Sequence, residues 1–132
     1  MKIKCAAVIL LVLIISAAFS GCGNSVSMDF AKEGVAVFKY GDADVSEKLT
    51  EQELSLIKSI FDSKDLYSDR PSCGFSKNVS VKINASQTFC FACDTCPIIY
   101  WAEKGKYFNI TEKEQEKLYE ILDAYGFSFP CV

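Results

Sequence analysis

Two rhythms of apolar and polar positions alternate along this chain. The first is strand-like. GVAVFKY (34–40), DVSEKL (44–49), NVSVKI (78–83), QTFCFA (87–92), PIIYWA (97–102) and KYFNI (106–110) are short, β-rich and either alternating or continuously apolar. The turn-forming GDA, NAS and EKGK between them predict hairpins. The second rhythm is helical. LTEQELSLIKSIFD (49–62) places Leu54, Ile57, Ile60 and Phe61 on one stripe, and ITEKEQEKLYEILD (110–123) does the same with Leu118, Ile121 and Leu122, continuing to Tyr125. Each segment opens on a threonine with a glutamate three positions on, Thr50/Glu53 and Thr111/Glu114. That spacing predicts a capping box: the hydroxyl accepts from the glutamate N–H, and the carboxylate reaches back to the threonine N–H. Gly126 is placed to stop the second helix. The order ββα-ββββα predicts an α+β domain: an antiparallel sheet of about five to six strands with both amphipathic helices on one face. The likeness of the two helices fits an internal duplication and a shared capping solution equally well.

Strand parity carries a further expectation. Val79, Val81 and Ile83 belong in a core with Phe89 and Phe91. The two sets share a face only if the connecting loop has an odd length, as Asn84 to Ser86 does. Cys93 then falls on the core side and Cys90 on the opposite side. PIIYWA is apolar on both faces, with Ile98 and Tyr100 on one and Ile99 and Trp101 on the other. An apolar patch is therefore expected on the sheet face away from the helices, centred on Tyr100 or Trp101.

The first residues follow a different logic. Lys2 and Lys4 precede an apolar run from Cys5 to Phe19, too short for a comfortable span and suited to a signal-peptide core. It ends in FSGC. Ser20, Gly21 and Cys22 match a small-small-cysteine pattern, and this segment resembles the lipobox of bacterial lipoproteins, with Phe19 where that family usually has leucine. The resemblance implies cleavage before Cys22 and attachment of a diacylglycerol, with palmitate-type chains, to that cysteine. It divides the chain into a signal peptide (1–21), a lipidated cysteine with tether (22–29) and a single α+β domain (30–132). It also implies an extracytoplasmic domain anchored to the bacterial cell membrane, where disulfides are permitted.

Charge and composition narrow the partners. The net charge is −3, and removal of a signal carrying Lys2 and Lys4 makes the remainder more acidic. With no basic run, no nucleic-acid partner is expected. Histidine is absent from the chain. That removes the commonest general base and the commonest metal ligand. No phosphate-binding glycine loop or nucleophile elbow occurs. The carboxylate pairs Glu51/Glu53 and Glu112/Glu114 sit where they complement helix dipoles. No catalytic residue, enzyme activity, cofactor or metal is expected.

The chemistry-bearing feature is FCFACDTCP (89–97), three cysteines at intervals of three. A ferredoxin-type cluster would need a fourth cysteine where Tyr100 stands. Zinc could use the thiolates but lacks the usual glycine after the second cysteine. CDTC (93–96) has the spacing of a dithiol redox site, yet β-forming PIIYW follows where a helix N-terminus would lower a thiol pKa. Structural disulfides remain: Cys73 and Cys131 lie on irregular segments after the two helices, with Cys93 and Cys96 as central partners and Cys90 left as a free thiol. The function expected is a membrane-tethered binding or inhibitor-like module for a protein or peptide. The alternative is a thiol-dependent redox or metal-handling lipoprotein. A fatty-acid probe fed to producing cells should label the wild-type protein and not Cys22→Ser. Equal labelling of both would remove the lipoprotein reading.

Overall fold

The computed structural model describes residues 24–131. The expected signal peptide and Cys22 lie outside the described residues. Six strands form one antiparallel sheet: β1 (Gly34–Tyr40), β2 (Ala43–Lys48), β3 (Phe75–Ile83), β4 (Gln87–Ala92), β5 (Ile98–Trp101) and β6 (Lys106–Asn109), in spatial order β2-β1-β3-β4-β5-β6. Helix α1 (Glu51–Phe61) links β2 to β3, and α2 (Glu112–Ala124) follows β6. The fold is the expected α+β arrangement in ββα-ββββα order.

Both helices cover one face of the sheet. Leu54, Ile57, Ile60 and Phe61 of α1 and Leu118 and Leu122 of α2 are buried in one cluster with Ala36, Phe38, Val79, Val81, Ile83, Phe89, Phe91, Ile99 and Phe108. Phe61 is the centre of this layer, 5.2 Å from the Phe89 ring and 5.1 Å from Phe108. Opposed rings of this kind add to the area they remove from water. Gly34 has a packing reason: a Cβ there would lie 2.9 Å from Leu49 Cδ1.

Register follows the parity argument. Val81 pairs with Phe89 and Ile83 with Gln87, leaving Asn84 to Ser86 as the turn. Cys90 consequently pairs with Ser80 and Tyr100 on the face away from the helices. Strand β3 begins at Phe75, earlier than its alternation indicates. Its register with β4 shifts between Phe75 and Ser80, a bulge that breaks the period over Ser76 to Val79.

Three local features depart from expectation. At α1 the Thr50 hydroxyl accepts from the Glu53 N–H at 3.2 Å, but the Glu53 carboxylate accepts from Tyr125 Oη at 2.6 Å and leaves the box half-formed. The box at Thr111 and Glu114 is complete. On α2, Ile121 and Tyr125 are only partly buried. Residues 24–31 do not hang as a tether. Val26 and Met28 are 2% and 1% exposed, and Val26 exchanges backbone bonds with Lys64 and Ser63.

Glu114 joins the two helical units. Its Oε1 accepts from Lys64 Nζ at 2.7 Å and from the Thr111 N–H at 2.8 Å. Burial alone would raise its pKa, but the Lys64 and Thr111 hydrogen bonds outweigh that and hold it below the usual value. A folded pKa below the unfolded one stabilises the fold above the unfolded pKa, and the gain is lost as pH falls through the folded pKa. On acidification from about pH 5 to about pH 3, wild type should lose melting temperature more steeply than Glu114→Gln. Identical slopes would show that Glu114 gains nothing on folding.

Candidate functional site

The face away from the helices carries a cross-strand row of side chains. Val37, Ser80, Cys90, Tyr100 and Tyr107 stand opposite one another on β1, β3, β4, β5 and β6. The row extends past β6 to Tyr67, whose backbone exchanges two 2.9 Å hydrogen bonds with Tyr107. Tyr100 stacks on Tyr107 with centroids 4.8 Å apart, and Tyr67 stacks on the other side of Tyr107 at 5.9 Å. Phe75, brought over by the β3 bulge, lies 5.7 Å from Tyr100 and 5.6 Å from Tyr107. Phe75, Tyr100, Tyr107 and the exposed Arg70 line a cavity of about 200 Å³.

Residues 66–75 wall this cavity and are tied down at several points. The Tyr67 hydroxyl donates to Asn109 Oδ1 at 2.6 Å, and Lys106 Nζ donates to Ser68 Oγ. Cys73 is disulfide-bonded to Cys96 across 23 residues, with Cα atoms 6.4 Å apart. Burial, with Tyr107 beside it, raises the Tyr67 pKa, so this phenol stays neutral and serves as a donor. Parity places Lys39, Lys48 and Lys82 on the same face, all exposed. Asp44 answers only Lys39, at 3.9 Å. This face is cationic although the chain is acidic.

Trp101 is not on this surface. It is 4% exposed on the helix side, 4.9 Å from Phe89 and stacked under Phe30 at 6.2 Å. Its indole N–H donates to Gln87 Oε1 at 2.8 Å, and Lys104 Nζ lies 4.7 Å from its ring. Of the two aromatic candidates, Tyr100 faces away from the helices, half-buried.

The remaining cysteines separate by environment. Cys90 is 1% exposed, and burial pushes its thiol up to about 12, so it is unreactive near neutrality. Cys93 sits in the turn after β4, with Cys131 beside it: the Cys131 N–H donates to the Cys93 carbonyl at 2.9 Å. Burial and the Cys93 thiol push Cys131 up to about 12. CDTC opens no helix, because β5 follows it. Cys73, Asp94 and Cys96 bring ligand atoms within 4.8 Å of one another. The two sulfurs, however, are bonded to each other, so metal binding there would require prior reduction.

A larger concavity, about 450 Å³, lies between α2 and the C-terminal tail, lined by Glu116, Tyr119, Glu120, Asp123, Phe127 and Phe129. Its carboxylates are exposed, and Tyr119 already stacks on Phe129 at 4.4 Å. Solvated acids on an outer helix face need no ligand, and the stacked rings satisfy each other. The Arg70 cavity differs in bringing a cationic side chain and three aromatic residues together on a disulfide-braced wall.

Sequence reasoning missed Phe75, Tyr67, Tyr107 and Arg70 as members of one site. KYFNI was expected as a strand, but nothing in YSDRPSCGF announced that it would fold back onto it. No family model, curated protein or solved structure matches this chain.

The two aromatic neighbours should behave differently on truncation. Trp101→Ala is expected to cost about 3–5 kcal/mol, as for buried aromatics. Tyr100→Ala should cost about 1–2 kcal/mol, in line with half-burial. Equal losses in urea melts would place Tyr100 in the core.

Proposed function

We propose that this protein is a membrane-tethered, extracytoplasmic binding module that recognises a carboxylate-bearing peptide segment at the Arg70–Phe75–Tyr100–Tyr107 cavity. The observation that carries the reading is convergence: one exposed guanidinium and three aromatic rings meet in a cavity walled by a disulfide-braced loop. Size limits the ligand. At about 200 Å³ the cavity is smaller than the ~300–1,000 Å³ that drug-sized ligands occupy. It suits one side chain or one chain end. Guanidinium pairs with carboxylate through two parallel hydrogen bonds, and aromatic edges favour the same negative group. Lys39, Lys48 and Lys82 favour an acidic approach across the sheet. A wall already ordered before binding costs less to engage, which is the economy of inhibitor-like modules. Anchorage through Cys22 rests on the lipobox resemblance and restricts partners to the cell envelope.

The thiol-dependent alternative has less support. The CDTC pair is divided, Cys96 being bonded to Cys73 and Cys93 lying beside Cys131.

The test uses short acidic peptides bearing a free or an amidated C-terminus, with binding read by fluorescence anisotropy at low and moderate salt. Wild type should prefer free carboxylates. Arg70→Ala should weaken binding about tenfold, or ~1.4 kcal/mol, and Tyr100→Ala by a similar factor with the fold intact. Peptide binding unaffected by either substitution, or no binding by wild type, would overturn the reading.

A further inference from the structure

The five cysteines among the described residues divide into one bonded pair, one isolated thiol and one adjacent pair. Cys73 and Cys96 are bonded to each other. Cys90 lies across the sheet, on the face that carries Tyr100. Cys93 and Cys131 are left, and they are adjacent. The Cys131 N–H donates to the Cys93 carbonyl at 2.9 Å, and the Cys93 thiol is among the groups that raise the Cys131 pKa. That hydrogen bond sets the two backbones side by side, and disulfides bridge Cα atoms about 4.4–6.8 Å apart. Both side chains pack against the same core.

We infer that Cys93 and Cys131 are a second disulfide site, one that locks the C-terminal tail onto the end of β4 and is formed by exchange with an external disulfide. This is independent of what the opposite face binds. Exposure orders the steps. Cys93 is half-buried, whereas Cys131 is 4% exposed and its thiol is pushed up to about 12. Cys93 gives up its proton, and its thiolate attacks one sulfur of the external disulfide. A mixed disulfide forms, and one external thiolate leaves. Cys131 then loses its proton as its sulfur attacks the Cys93 sulfur, expelling the second external thiolate. Two protein thiols are oxidised by two electrons, one external disulfide is reduced to two thiols, and the two protons pass to the departing thiolates.

The tail this bond would hold is structural. Phe127 packs 4.8 Å from Phe38, and Phe129 stacks on Tyr119 at 4.4 Å. With the bond open, those rings and one backbone hydrogen bond retain the end of the chain. With it closed, the tail is held covalently at both ends, by α2 and by Cys93.

The test treats the full chain, purified without reductant, with oxidised glutathione. Thiols are then alkylated under denaturing conditions, and the chain is cut after Lys82, Lys104 and Lys117 and before Asp94. Free thiols among the described residues should fall from three to one, the survivor being Cys90. The peptide carrying Cys131 should be recovered only in disulfide linkage with the peptide ending at Cys93. Cys131→Ser should accumulate the Cys93–glutathione adduct, whereas in Cys93→Ser the Cys131 thiol should be modified at least about tenfold more slowly than Cys93 is in wild type. Cys73→Ser/Cys96→Ser, which leaves no other pairing for the central turn, should keep the Cys93–Cys131 link. Wild type that alkylates at both Cys93 and Cys131, retains glutathione on Cys93, or joins Cys131 to Cys96 would overturn the inference.

Discussion

A three-residue turn decides which side of the sheet every later side chain meets. Asn84 and Ala85 adopt φ of 54° and 60°, a conformation costly for alanine by about 1 kcal/mol or more. The Asn84 side chain offsets this. Its Oδ1 accepts from the N–H groups of Lys32 and Glu33 at 2.9 and 3.2 Å, and its Nδ2 donates to the Phe30 carbonyl at 2.7 Å. One amide thus fixes the hairpin and pins the N-terminal segment against it. An odd turn keeps Val81 opposite Phe89 and sends Cys90, Tyr100 and Tyr107 to the far face. A turn one residue longer or shorter would exchange the faces of everything downstream. Core and candidate site are therefore alternative destinations of the same strands.

Much of this was legible because the buried face is strongly apolar. Leu54, Ile57, Ile60 and Phe61 declare α1 through spacing alone, and the parity of β3 and β4 follows from their valines and phenylalanines. What escaped was whatever lacks a period. The β3 bulge hides Phe75 to Lys77 from an alternation test, and residues 66–74 make only isolated pairings. Glu53 was read by its local spacing to Thr50, but a partner 72 residues away takes it. The alternation of Val26 and Met28 was a readable sign that the packed domain begins earlier than residue 30, obscured by the polar residues Asn24, Ser25 and Asp29 around them. Cysteine pairing could not be read from spacing, because CDTC places Cys93 and Cys96 on opposite sides of a turn and each meets a different segment.

Charge is distributed as unevenly as hydrophobicity. Glu112, Glu116, Glu120 and Asp123 are exposed on α2, while Lys39, Lys48, Lys82 and Arg70 lie on the opposite side of the sheet. The chain's net acidity averages two unlike surfaces and describes neither. Fields from such surfaces orient an approaching partner within about a Debye length, ~8 Å at physiological salt.

The burial of Val26 and Met28 has a bearing on how the domain could ever be set free. On the proposed anchorage at Cys22, Gly23, Asn24 and Ser25 are all that separate the lipid from the core, and the Asn24 carbonyl already accepts from the Leu66 N–H at 2.8 Å. A protease needs an extended stretch of several residues, which is not available here without first pulling Val26 out of the core and away from Ser63 and Lys64. Shedding would then begin with partial unfolding, and a truncated product starting beyond Met28 would lack two core side chains. The domain would be retained at the surface by its own packing as much as by its acyl chains.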